Sequence, residues 1–114
     1  MTKNIYLISA SLDEGKIYKI GLTRRDVYKR LKELKTANPY ELKIEKVYEA
    51  NNYGSNIEKS LHRKFRMSKI EGEWFELTDS DIDIFDELCK GYYKMFDELQ
   101  KNNSYIAQKG IKFK

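Results

Sequence analysis

The chain has 114 residues, 40% of them apolar, with nine Tyr, five Phe and one Trp; that suffices for one modest core and not for two. A single cysteine, Cys89, excludes an intrachain disulfide, and no stretch approaches the roughly 20 apolar residues of a membrane span. The net charge of +4 conceals a division: residues 15–69 carry fifteen Lys or Arg against six Asp or Glu, whereas residues 71–98 carry ten acidic residues against Lys90 and Lys94.

A basic half of this kind suits a polyanion, because clustered positive charge gains affinity by releasing counterions from phosphates. A solvated lysine-rich surface is the competing reading of the same charges. Lys3 alone precedes a short apolar run that ends at Asp13, which is not the pattern of a secretory signal, so a reducing, cytoplasmic setting without membrane attachment is expected.

Asn4 to Ser9 and Lys16 to Gly21 are β-rich runs joined by Leu12-Asp13-Glu14-Gly15, and predict a β-hairpin. From Arg25 the period changes: Val27, Leu31 and Leu34 recur at helical spacing among Lys29, Arg30, Lys32 and Lys35, with Thr23 or Asp26 available as the cap. Asn38-Pro39 stops this helix, and Glu41 to Ala50 alternates as a third strand.

After the break at Asn51 to Ser55, Ile57, Leu61 and Phe65 mark a second helix, with Glu58 and His62 one turn apart on a neighbouring stripe. Glu73 to Leu77 reads as a brief strand or extended segment. Ser80 opens a third helix, with Ile82, Phe85, Leu88, Cys89, Tyr92, Phe96 and Leu99 on one side. Asp79, Asp81, Asp83, Asp86 and Glu87 lie in its first turns, where the helix dipole accounts for them without an ion. The order β-β-α-β-α-(β)-α predicts a small α+β domain, an antiparallel three-stranded sheet flanked by helices, over residues 1–100, with a basic C-terminal tail at 101–114.

Cleaving a phosphodiester requires a water that loses its proton, a cation beside the non-bridging oxygens and help for the departing oxygen. Asn4-Ile5-Tyr6, Tyr18-Lys19-Ile20-Gly21, Arg30, Asn38-Pro39, the Glu58 to His62 helix and Gly72-Glu73-Trp74-Phe75 occur in this order over residues 4–77. As an ordered set they resemble the GIY-YIG endonuclease superfamily, in particular the phage and viral branch named for a phage T5 open reading frame and a meiotically up-regulated gene.

The resemblance implies a DNA endonuclease that uses Mg²⁺ or Mn²⁺, with RNA not excluded as a substrate, and in phage or mobile-element biology. It implies that Tyr6 orients or deprotonates the attacking water, that Arg30 holds the phosphate and that Glu58 binds the metal. Asn4 stands where the first motif has Gly, and Lys19 stands where the second has Tyr, while Tyr18 lies one place earlier. Side chains alternate along a strand. In the family's register Lys19 faces the site, where it would lower the pKa of Tyr6 or contact the phosphate; a bulge would turn Tyr18 there instead.

Leu34 occupies the place where several superfamily members carry a His. His62, the chain's one histidine, is the candidate proton shuttle or phosphate contact. Glu58 and His62 lack the third His or Cys that a structural zinc site needs. Arg24, Arg25, Lys29, Arg63, Lys64 and Arg66 are the candidate nucleic-acid contacts. Trp74 and Phe75 read as core rings, with stacking on a base as the alternative for an exposed Trp74, and Glu73 either as a partner for a basic residue or as the group that orients the arginine. The 114 residues hold no separate recognition domain, so sequence specificity is expected to be low, or supplied by another protein or by homodimerisation through the third helix.

Overall fold

The computed structural model describes residues 3–108, and side chains to residue 102. The chain runs β1 (Asn4–Leu12), β2 (Gly15–Thr23), α1 (Val27–Thr36), β3 (Glu41–Glu49), α2 (Gly54–Lys64), β4 (Lys69–Glu71), β5 (Trp74–Phe75), α3 (Asp79–Asp83) and α4 (Phe85–Gln108), with 3-10 turns at Asn51–Tyr53 and Arg66–Ser68.

The five strands form one antiparallel sheet in the order β3-β1-β2-β5-β4. This corrects the expectation of three strands. The segment around Trp74 is one arm of a second, tiny hairpin, and strands of three and two residues are too short to reveal a period in sequence. Gly72, at φ +57°, makes the turn between them in the left-handed region where a side chain would be strained.

β2 and β3 both run antiparallel to β1, so they are parallel to each other and α1 must cross the face of β1 to connect them. That face carries Tyr6, Ile8 and Ala10, which pack with Val27, Leu31 and Leu34 of α1, Leu42 and Trp74. The opposite face carries Ile5, Leu7, Tyr18 and Ile20. It packs on Ile57 and Leu61 of α2, on Phe65 and Phe75, and on Phe85 and Cys89 of α4.

Local capping follows the sequence. Asp26 accepts from the Tyr28 N–H at 2.9 Å to start α1, while the Thr23 hydroxyl accepts from the Arg25 N–H at 3.1 Å. The third predicted helix is two. A capping box between Thr78 and Asp81 opens α3, which closes at Ile84 before α4 begins. The apolar stripe of α4 is largely spent inside the chain: Tyr93 packs edge-on against Tyr53 at 5.0 Å, whose hydroxyl donates to Asp97 at 2.9 Å.

α4 continues to Gln108 past the expected boundary at residue 100, and Lys101 pairs with Asp97 at 3.2 Å. Residues 109–114 of the expected tail lie outside the described residues. No helix among the described residues is long and apolar enough to cross a membrane.

Candidate metal and phosphate site

The β1–β2 register places Tyr6 opposite Gly21, and the Tyr6 ring lies across the glycine. A Cβ at residue 21 would fall 2.2 Å from the phenol oxygen and 2.3 Å from Cζ. Glycine is what lets the ring lie down there. From the other side α1 brings Arg30, whose guanidinium lies within donating reach of the Tyr6 oxygen. Glu33, one turn along α1, steadies the same guanidinium at 3.6 Å.

Burial pushes the Tyr6 phenol above its ordinary value; Arg30 pulls it back, and the Glu73 and Glu58 carboxylates add to the rise. Burial thus favours the neutral phenol, and Arg30 acts against it. Lys19, the other residue expected beside Tyr6, is paired with Glu73. Its Nζ lies 2.8 Å from Glu73 Oε1 and 5.6 Å from the centre of the Trp74 ring.

Glu58 and His62 project from α2 one turn apart, and Glu73 enters from the residue just before β5. One carboxylate oxygen from each Glu and a ring nitrogen of His62 all lie within 4.8 Å of one another. The Ile20 peptide organises this meeting. On its β2 side β5 pairs only with Tyr18 and Lys19, and where that ladder ends, the Ile20 N–H donates to the Glu73 carbonyl at 3.1 Å and His62 Nε2 donates to the Ile20 carbonyl at 2.9 Å. The His62 ring is also held edge-on against Phe75 at 4.9 Å.

Glu58 is half-buried, and its carboxyl is pushed up first by that burial and then by the Glu73 carboxylate, with His62, Lys19 and Lys59 acting in the opposite direction. Two carboxylates facing each other in partial burial form a site where a divalent cation would relieve both the burial cost and the repulsion. The donor chemistry, two oxygens and one imidazole nitrogen, fits such an ion.

Of the residues singled out by sequence, the structure brings Tyr6, Lys19, Arg30, Glu58 and His62 into one neighbourhood. Tyr18 is not among them. The β1–β2 pairing has no bulge, so Tyr18 faces the other side of the sheet and is buried with Ile5, Leu7 and Phe75. Glu73 does find a basic partner, Lys19, but its place beside Glu58 and His62 was not read from the sequence. The turn-forming Gly72 immediately before it was the available signal.

Arg24, Arg25 and Lys29 are exposed at the start of α1, and Arg63, Lys64 and Arg66 are exposed around the end of α2. They lie around the two helices that supply Arg30 and His62. Arg25 is held to Glu33 at 2.6 Å.

A family model described as the T5orf172 domain matches residues 3–90, which include every residue of this site. No curated protein and no solved structure matches the chain significantly.

Proposed function

This chain belongs to the T5orf172 domain family, and we propose that it is a divalent-metal-dependent endonuclease of GIY-YIG type that hydrolyses phosphodiester bonds in DNA. The observation that carries this reading is the convergence of Arg30 and the Tyr6 hydroxyl from one face of the sheet with Glu58, His62 and Glu73 from the other, at the place where the β5 ladder stops. The association of the family with nucleases supports it.

In this reading Arg30 binds a non-bridging phosphate oxygen through its planar fork of donors, and its charge is in place before negative charge develops. Tyr6 positions the attacking water or the phosphate by hydrogen bonding. The water's oxygen bonds to phosphorus as the bond to the departing sugar oxygen breaks. His62 takes or returns the proton. Glu58, with Glu73 beside it, would hold Mg²⁺ or Mn²⁺, which supplies a Lewis acid for the phosphate and a lowered pKa for bound water. The exposed bases of α1 and of the α2 end would track the backbone without reading sequence.

A second reading, a nucleic-acid-binding module without chemistry, draws on the Lys19 ammonium at 2.8 Å from Glu73, which already gives the cluster an internal cation. A cleavage assay on single-stranded DNA, duplex DNA and RNA with Mg²⁺ or Mn²⁺ separates the two. Wild type cuts DNA, and Glu58→Ala abolishes cutting while leaving DNA affinity within a few fold, because it removes a metal ligand and no phosphate contact. Binding without cutting in wild type supports the second reading, and unchanged turnover in Glu58→Ala overturns the first.

A further inference from the structure

We propose that the tight turn joining α2 to β4 is a wedge that deforms duplex DNA: Met67, with Ile70 three residues on, enters a base-pair step while Arg63, Lys64, Arg66 and Lys69 hold the flanking phosphates. This rests on the nucleic-acid part of the nuclease reading and names its substrate as a bendable duplex. It does not depend on the chemistry at Glu58.

Met67 is 90% exposed, the most exposed large apolar side chain among the described residues, and Ile70 is 52% exposed. One exposed apolar residue is ordinary on a protein surface. These two, however, stand on backbone that is tied down. The turn Arg66–Ser68 follows Phe65, whose side chain is buried in the core beside α2 and α4. The Phe65 N–H donates to the Leu61 carbonyl at 3.0 Å, the Ser68 N–H to the Phe65 carbonyl at 2.8 Å, and the Glu76 N–H to the Ser68 carbonyl at 2.8 Å. Ile70 is the extra residue of a bulge: Lys69 pairs with Phe75 and Glu71 with Trp74, so Ile70 has no opposite number on β5. A bulge in an edge strand re-aims the side chain it carries. An apolar tip on a fixed base enters a ligand without the entropy cost of ordering a loop.

Charge identifies the occupant. Arg63, Lys64, Arg66 and Lys69 are all exposed, and among the described residues none of them is paired with a carboxylate. An apolar tip flanked by free cations matches a DNA groove: the phosphates take the charge, and the tip gains apolar contact by parting two stacked base pairs, a use to which methionine and isoleucine are suited. The same two elements carry the groups of the candidate site. α2 presents Glu58 and His62 before it ends at Lys64, and β4 leads into the turn that presents Glu73. β4 has three residues, a span of about 10 Å or roughly three base-pair steps, so one short stretch of duplex reaches both ends of the hairpin.

The test uses the full chain, a chelator to prevent cutting, and duplexes that carry the fluorescent base aminopurine beside a central TA or AA step, since TA steps part more easily. Binding raises the fluorescence, more at TA than at AA, and shortens the end-to-end distance of the same duplex labelled for energy transfer. Met67→Ala removes most of both signals and weakens duplex affinity severalfold. The slope of log affinity against log salt and the circular dichroism spectrum stay as in wild type, because neither a phosphate contact nor a buried contact is lost. Met67→Gln, of similar length but polar, behaves as Met67→Ala does, and Met67→Leu retains both signals.

Wild type that binds duplex without either signal, or folded Met67→Ala or Met67→Gln that keeps both, overturns the inference. Tighter binding to vesicles of phosphatidylserine and phosphatidylcholine in equal parts than to duplex at the same salt, lost in Met67→Ala, also overturns it and assigns the tip to an anionic bilayer. Unstacking through Met67 in a protein that cuts nothing when metal is restored would leave this inference standing and remove the nuclease reading. Glu58-dependent cutting of duplex that is never unstacked would do the reverse.

Discussion

Tyr6 and Gly21 are opposed across β1 and β2 so closely that a methyl group on residue 21 would overlap the phenol, at 2.2 Å from its oxygen and 2.3 Å from Cζ. Gly21→Ala therefore forces the ring from its position over the strand. A loss of about 1–3 kcal/mol is expected by urea denaturation, the usual cost of overpacking. Tyr6→Phe does not relieve the overlap, because Cζ remains. Tyr6→Ala does, so the double substitution with Gly21→Ala should cost less than the sum of the two single changes.

Arg30 is valuable for its shape as well as its charge. Arg30→Ala is expected to slow DNA cleavage on the order of a hundredfold or more, since developing charge on the phosphate loses a preorganised partner. Arg30→Lys keeps the charge without the planar fork and should recover only part of that rate. Full activity in Arg30→Lys, measured under single-turnover conditions, would show that only the charge matters.

Affinity for DNA is expected to depend on the exposed bases at the end of α2. If Arg63, Lys64 and Arg66 each contact a phosphate, replacing all three by Ala lowers the slope of log affinity against log salt by about 2 to 3 units, at roughly 0.9 per contact. Since these side chains are exposed, the melting temperature should hardly move. An unchanged slope would place the nucleic acid elsewhere.

Cys89 reports on the core between the sheet and α4. Burial, and secondarily Asp86, push its thiol from 9.0 up to about 12. A raised folded value means that its contribution is complete below about pH 9 and is lost as pH climbs toward about 12, at most on the order of 4 kcal/mol. Stability measured across that range should fall less steeply in Cys89→Ala than in wild type, whatever the cost of the substitution at neutral pH.

The turn into α3 is held by two reciprocal hydrogen bonds, Thr78 N–H to Asp81 at 2.9 Å and Asp81 N–H to the Thr78 hydroxyl at 3.2 Å. Thr78→Ala removes one of them and is expected to cost about 1 kcal/mol by denaturant titration. Thr78→Ser should restore most of it.

Much of this molecule was legible in one dimension because its signals are local. The β1–β2 hairpin, the Val27, Leu31 and Leu34 stripe, the Asp26 cap and the stop at Asn38-Pro39 each depend on residues within a few places of one another. The pair β4 and β5 escaped because alternation cannot be recognised in three residues and then two. α4 runs to Gln108, past Leu99, the last residue of the apolar stripe read from the sequence.

Residue types and spacing, by themselves, determined one small α+β unit, the face of each helix that meets the sheet, and the list of polar groups able to handle a phosphate. They did not decide which of those groups meet. Lys19 rather than Tyr18 faces the site because the hairpin register has no bulge, and side chains alternate strictly when nothing interrupts the ladder. Glu73 joins Glu58 and His62 because β5 ends after two residues and leaves the Ile20 peptide to gather a carbonyl from one segment and an imidazole from another. Hydrogen-bond partners separated by 42 residues, as His62 and Ile20 are, are chosen by the folded chain, since only the closed sheet brings those groups within reach.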